Sequence, residues 1–331
     1  MTAHAHATAD ARATFSSACA SACAAPAPAP APAPLPQVNI CAIAKNEARY
    51  LAEWCLFHHL VGIRHITIYD NNSLDAPSAD STRAVLAPFI SSGFVDLIPW
   101  PLPNPSQFLA YQNYLTWHRG RAAWTAFIDC DEFLLPATPA HATVPDALAA
   151  ILADLSSRSL PLGALAVNWL CFGAGGQQTY SPLPVIERFT WRDLPFAPVN
   201  LHIKSLVWMD QPSLQTGATP HHFLTSPGLP TRDELGREVP DSFTLTHSSA
   251  LLRLHHYSSK SREEWEERVA LGKPDRPPDS PIDPRWWEDR QVMAEEDRTA
   301  WRWLAEVKRG LGLLDSPNSI NERISIPNET A

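Results

Sequence analysis

The sequence predicts an α/β protein built on a mostly parallel central sheet flanked by helices. Two observations predict it. Short, nearly continuous apolar runs alternate with helically spaced ones from Val38 to Ile128, and a polar cluster follows three of the apolar runs directly. A third observation supports the size of the unit: 331 residues, 45% of them apolar, with 12 Trp and 12 Phe, supply a sizeable core.

The elements follow in order. Residues 1–35 carry an Ala-Pro repeat (Ala25 to Pro34), which favours an extended spacer that builds no core, so this stretch is expected to be disordered. One folded domain is expected over 36–310, with 311–331 as a tail. Val38–Ala44 (VNICAIA) suits a strand buried on both faces. After Lys45-Asn46-Glu47, the spacing of Tyr50, Leu51, Trp54, Cys55 and His58 predicts a helix over Ala48–Val61, with Gly62 at its C-terminal cap. His65–Tyr69 reads as the next strand and ends in Asp70-Asn71-Asn72-Ser73, completing a right-handed βαβ unit. The alternation continues with a helix over Ser81–Ile90, a strand over Phe94–Ile98, a helix over Ser106–His118 and a strand over Ala123–Ile128. That last strand runs into Asp129-Cys130-Asp131-Glu132. Ligands of open parallel sheets bind beyond the carboxyl ends of the strands, so the three polar clusters should meet at one edge.

Past Leu155 the pattern loosens. Strand-like pieces (Ala164–Trp169, His202–Trp208, Leu251–Leu254) are separated by Gly- and Pro-rich loops, and the end is helical and charged, over Arg262–Val269 and from Trp286 to about Gly310. This half is expected to complete the site.

Composition narrows the function. The formal net charge of -9 argues against a nucleic-acid surface, which would present a basic face. No stretch approaches the ~20 apolar residues of a membrane-spanning helix. The six cysteines (Cys19, Cys23, Cys41, Cys55, Cys130, Cys171) show neither paired C-x-x-C units nor a disulfide-dense pattern, which fits buried free thiols and a reducing compartment better than an oxidising one. Targeting stays open between the cytoplasm and a Golgi or secretory lumen, with the chain expected to be soluble.

Asp129-Cys130-Asp131 is the sharpest chemical candidate. Residues two apart on an extended segment point to one side, so both carboxylates would face one hard divalent cation. Roughly one D-x-D is expected by chance at this length, but this is the only one here and it follows a buried-looking strand. In the segment Arg253–Ser261, a His would complete a metal shell and Lys260 would supply a cation for phosphate oxygens, against a packed core His and a surface Lys. His221-His222 poses the same choice. The loop Asn168–Gly176 sets three glycines beside aromatics, which suits close approach to a sugar or a plain irregular turn. Arg262–Arg268 (REEWEER) reads as a solvated helix without chemistry.

Taken together, these segments resemble glycosyltransferase family 92 and related bacterial family-2-like transferases. The carrying residues are Lys45-Asn46-Glu47, Tyr50–Trp54, His58 and Gly62; Tyr69–Asp75; Phe127–Phe133; Asn168–Leu170 with Phe172-Gly173; Lys204-Ser205; and His256–Ser261, in family order over roughly 38–272. The resemblance implies a GT-A fold, a nucleotide-sugar donor (usually a UDP-sugar), Mn²⁺ or Mg²⁺, and transfer to a glycan or other hydroxyl acceptor with inversion. It implies metal contacts from Asp129, Asp131 and His256. Donor contacts are implied from Lys45, Asn46, Glu47, Asp70, Asn72, Glu132, Lys204 and Lys260. Two positions depart from the family pattern: Gln177, where a His is common, and Arg268, where a Lys is common. Inversion needs a general base, for which Glu187, Asp193, Asp233 and Glu234 are open. A sugar nucleotidyltransferase is the enzymatic alternative, although only Lys45 is basic after the first strand. A carbohydrate-binding protein without turnover is the other.

Overall fold

In a computed structural model, residues 34–72, 81–271, 285–291 and 294–314 are described. The Ala-Pro repeat except Pro34, Ser73–Asp75 of the Tyr69–Asp75 segment and most of the expected tail lie outside them.

The expected alternation is present. Strand β1 (Val38–Ala44) is followed by α1 (Ala48–Leu60), β2 (His65–Asp70), α2 (Thr82–Ser91), β3 (Val95–Pro99), α3 (Gln107–His118) and β4 (Trp124–Phe127). Then come β5 (Glu132–Pro136), α4 (Val144–Ser157), β6 (Ala164–Cys171), the single turn α5 (Val185–Arg188), β7 (Ile203–Trp208), β8 (Thr231–Asp233), β9 (Leu252–His256) and α6 (Arg262–Leu271). The chain closes with α7 (Arg285–Asp289) and α8 (Leu304–Gly310). The central sheet runs β3-β2-β1-β4-β7-β6-β9-β5, with β8 alongside β6. Pairings among β3, β2, β1 and β4 are parallel, as are β6 with β8 and with β9, whereas β7 and β5 pair antiparallel to their neighbours. This is the mixed α/β architecture with a mostly parallel sheet that the alternation predicts.

Register decides what the sheet edge carries. Ala44 pairs with Asp70, Cys41 with Phe127, Phe127 with Ser205, and His256 with both Cys171 and Glu132. The C-terminal ends of the parallel strands therefore coincide with the N-terminal ends of the two reversed strands. Lys204, second in β7, and Glu132, first in β5, arrive at the same edge as Lys45, Asp129 and His256.

The core has two layers. On one face Leu51, Trp54, Cys55 and Phe57 of α1, Leu148 and Ile151 of α4 and Val307 of α8 pack against Ile40, Ile66 and Leu134. On the other face Tyr111 and Tyr114 of α3 meet Phe127, Met209 and Phe223. Each such buried side chain contributes about 1.5–3 kcal/mol. Cys41, Cys55, Cys130 and Cys171 are buried free thiols within these layers, as expected. Gly62 takes φ +89° just after α1, and a Cβ there would lie 2.9 Å from Thr143 Cβ, so both backbone and space favour glycine.

The elements differ from expectation at several points. Strands β5 and β8 have no counterpart among the elements read from the sequence, and neither does helix α4. It starts with a capping box in which Asp146 N–H donates to Thr143 Oγ1 (3.3 Å) and Thr143 N–H to Asp146 Oδ2 (2.9 Å). The helical stretch expected from Trp286 to Gly310 is broken instead. Glu295–Glu296 pairs with Trp191–Arg192, and a 3₁₀ turn spans Thr299–Trp303. Asp297 breaks it by accepting from Thr299 N (2.9 Å), Arg192 Nε (2.8 Å) and Arg253 Nη1 (3.0 Å), bonds that a continuing helix would not allow.

Candidate active site

A cleft opens at the sheet edge between the end of β1, the Asp129–Asp131 turn and helix α6. Lys45, Asn46, Glu47, Asp129, Asp131 and Lys260 line it, six of the eleven residues singled out from sequence. The others sit behind or beside it. Asp70 accepts from Asn72 Nδ2 (2.6 Å), and Asn72 Oδ1 accepts from Asn46 N (3.0 Å), which holds the left-handed backbone of Asn46 (φ +58°). Glu132 is wholly buried and Lys204 is 1% exposed, so both stand beneath the cleft. His256 stands behind Asp131, with its Nε2 3.6 Å from Asp131 Oδ1.

The Asp129–Asp131 segment is a turn, closed by Glu132 N–H donating to Asp129 O (3.0 Å), and not the extended stretch expected. The two carboxylates consequently meet different cations. Asp129 Oδ2 accepts from Lys204 Nζ (2.9 Å) and Oδ1 from Gln107 Nε2 (2.8 Å). Asp131 Oδ2 accepts from Arg268 Nη1 (2.6 Å), while its buried Oδ1 has no hydrogen-bond donor within 3.5 Å among the described residues and lies 3.6 Å from His256 Nε2. Burial alone would raise both carboxyls. Lys204 outweighs it at Asp129, and Arg268 with His256 outweighs it at Asp131, so both are held below the usual carboxylate range. At Glu132 burial wins and pushes the carboxyl well up, despite Lys204 Nζ 3.7 Å away. Burial likewise raises Glu47 and lowers His256 to about 4, which leaves that imidazole neutral near pH 7.

Lys260 is held in a left-handed conformation (φ +49°), with its ammonium 4.3 Å from the centre of the Tyr50 ring. Tyr50 is fixed in turn: its hydroxyl donates to Glu264 (2.8 Å), and Glu264 accepts two bonds from Arg188 (2.8 Å each) in a pair buried from water. Glu264 also closes a capping box with Ser261 at the start of α6. The expectation of a solvated REEWEER helix is thus corrected. Trp265 is 2% exposed, Glu264 is buried, and Arg268 one turn later reaches Asp131. Ser261-x-x-Glu264 was the sequence signal for the cap. For Gln107 no signal existed, because its role depends on where α3 starts in space.

Among the described residues no group of three His, Cys, Asp or Glu side chains is already gathered as a metal shell. The donor chemistry nevertheless fits a divalent cation at one point: an unpartnered buried carboxylate oxygen facing a neutral imidazole nitrogen (Asp131 Oδ1 and His256 Nε2). Asp129, by contrast, has both oxygens engaged.

All four carboxylates open as a base have partners. Glu187 pairs with Lys308 (2.8 Å), Asp233 with Arg237, and Glu234 accepts from the backbone of Ala250, Leu251 and Leu252. Asp193 Oδ1 accepts from Leu194 N (2.8 Å), and this residue lines a separate cavity beside Cys171, whose thiol is 3.8 Å from His256 Nδ1. Asn168 and Trp169 of the Gly-rich segment are structural. Asn168 is fully buried and donates to Thr244 Oγ1 (2.7 Å), and Trp169 stacks on His202.

The family model described as Glycosyltransferase family 92 matches residues 38–162, the part that holds β1 to β5 and the Asp129–Asp131 turn. A glycosyltransferase family 92 protein of Oryza sativa subsp. japonica is 26% identical over 270 residues, covering 76% of this chain and 41% of that protein. One of Ricinus communis is 34% identical over 94 residues, 28% of this chain and 16% of that protein. The chain thus spans less than half the length of these relatives. Among solved structures it is similar to the mannosyltransferase PcManGT from Pyrobaculum calidifontis, at 17% identity and a TM-score of 0.29, over 40% of this chain and 35% of that one. The family read from the sequence motifs is the one that the comparisons return.

Proposed function

We propose that this chain is a metal-dependent, inverting glycosyltransferase of GT-A type. On this reading it moves a sugar from a nucleotide-sugar donor, a UDP-sugar, to a hydroxyl acceptor. The observation that carries the reading is the pairing of the unpartnered Asp131 Oδ1 with neutral His256 at the same sheet edge as an inward-held Lys260. Asp131 and His256 would hold the divalent ion, which when bound supplies Lewis-acid neutralisation of a diphosphate. Lys260, braced by Tyr50, and Arg268 contribute positive charge towards the departing diphosphate. Lys204 stays out of contact with the donor; it keeps Asp129 ionised and oriented. A general base takes the proton of the attacking acceptor hydroxyl as the new carbon–oxygen bond forms and the bond from the anomeric carbon to the diphosphate oxygen breaks, with Glu187, Asp193, Asp233 and Glu234 as the candidates for it. No Gly-rich basic loop follows β1, which disfavours the nucleotidyltransferase alternative.

The test is a thermal-shift titration of UDP and UDP-sugars with Mn²⁺, followed by donor turnover. A ligand at 100 times its Kd stabilises the folded state by about 2.7 kcal/mol. The wild-type protein is expected to show such a shift only with nucleotide and metal together, and Asp131→Asn to lose it. An Asp131→Ala protein that transferred sugar at an unchanged rate with added Mn²⁺ would remove the basis of the proposal.

A further inference from the structure

A further cavity, of about 250 Å³, lies between the start of α3 and the start of β7. That is the room of about eight waters at ~30 Å³ each, the order of one sugar ring. Its walls differ in kind from those of the charged cleft. Phe108, His202, Thr219, His221 and Phe243 line it, and no lining residue is a Lys, Arg, Asp or Glu. Gln107 lines both the cleft and this cavity and hydrogen-bonds Asp129, so the cavity opens beside the proposed catalytic edge.

The two imidazoles present acceptors. His221 Nδ1 donates to Ile203 O (2.9 Å) and His202 Nδ1 to Val199 O (3.0 Å), which leaves the lone pair on Nε2 in each neutral ring. No hydrogen bond among the described residues occupies either Nε2 atom. Burial keeps both rings neutral, lowering His221 to about 3 and His202 below its ordinary value. Thr219 and Ser242 hydroxyls bond each other. The wall therefore offers lone pairs and aromatic faces without a cation, which suits neither phosphate nor carboxylate.

The aromatic side is braced. Phe243, 49% exposed at the rim, packs on His202 with ring centres 4.2 Å apart. His202 stacks on Trp169 (4.7 Å, 17° between planes), and Trp169 packs on His256 (4.3 Å). A continuous ladder of rings thus runs from solvent to the imidazole facing Asp131.

We propose that this cavity is a subsite for a neutral saccharide, the body of the acceptor away from its reacting hydroxyl. The apolar face of a sugar ring lies against Phe243 and Phe108, and its hydroxyls donate to Nε2 of His221 and His202. The word acceptor rests on the glycosyltransferase reading above; saccharide binding does not.

The experiment is calorimetric and saturation-transfer NMR titration of the full chain with cellotriose, mannotriose and galactotriose, and separately with UDP plus Mn²⁺ and with uridine. It compares the wild type, Phe243→Ala, which trims a half-exposed rim residue, and His221→Phe, which keeps a ring but removes the lone pair. Melting temperatures report whether each variant folds. At least one trisaccharide is expected to bind, with affinity lowered fivefold or more in each folded variant and UDP affinity unchanged. Binding by none of the three sugars, binding indifferent to Phe243→Ala, or a loss of uridine binding instead would overturn the subsite. Saccharide binding that follows the variants in a protein indifferent to UDP would keep the subsite and sink the glycosyltransferase reading alone.

Discussion

Lys204→Met removes a charge while nearly preserving volume, and its cost follows from the geometry. The ammonium is 1% exposed, donates to Asp129 at 2.9 Å and stands 3.7 Å from Glu132. Removing one partner of a buried ion pair costs about 3–5 kcal/mol, because the other charge is left uncompensated. Here the Asp129 side chain keeps 35% of its exposure and retains Gln107, so water recovers part of that loss. The expected deficit is about 2–3 kcal/mol at pH 7.5, which for a fold of this size lowers the melting temperature by roughly 5–10 °C. The deficit depends on pH with a definite sign. Without Lys204, the Asp129 and Glu132 carboxyls titrate above their unfolded values in the folded state. The penalty is then full at high pH and shrinks as pH falls towards those unfolded values. Urea unfolding at pH 7.5 and pH 5 measures both numbers, and Asp129→Asn in the Lys204→Met background should restore at least 1 kcal/mol, by the logic of a coupling cycle. A single variant within about 0.5 kcal/mol of wild type at pH 7.5, the usual scatter of surface changes, would refute the view that Lys204 is the counter-ion of this cluster.

Three further outcomes follow from the packing. His58 is fully buried, donates from Nδ1 to Trp54 O (2.9 Å), accepts from Leu134 N (3.2 Å), and is held down to about 3 by burial. The unfolded chain binds a proton below about pH 6.5 that the folded one refuses, so stability falls with acid, by about 2 kcal/mol at pH 5 from this ring; in His58→Gln the slope of urea stability between pH 6.5 and 4 should be shallower by close to one proton. Gly62→Ala meets both a left-handed backbone and Thr143 Cβ at 2.9 Å, and should cost about 1–3 kcal/mol in chemical unfolding. Thr143→Ala removes the capping box of α4 and should cost about 1 kcal/mol, seen as faster hydrogen exchange in the first turn of that helix.

Much of the protein's chemistry was legible because it is local. A strand buried on both faces must be a short apolar run, and a helix packed on a sheet must repeat its apolar residues every three to four positions, so β1, α1, β2 and β4 announce themselves. The polar clusters that follow such strands must then gather at one edge. Helix α6 shows where that logic ends: seven residues with one Trp and six charges look solvated in isolation, yet Trp265, Glu264 and Arg268 are turned inward by what packs above and below them.

By itself, the sequence determined the alternation of strands and helices from β1 to β4, the edge to which Lys45, Asp70, Asp129 and Asp131 belong, and the family that the chain resembles. Only the tertiary structure decided that the two aspartates face different cations, that Lys204 lies beneath the cleft, and that Gln107, Arg268 and the His202–His221 wall stand beside them. The physical reason is that a period or a motif reports a residue's neighbours along one element. Which ion satisfies a buried carboxylate depends on register and helix placement between elements far apart in the chain, and the energy that selects them is spread over the whole core.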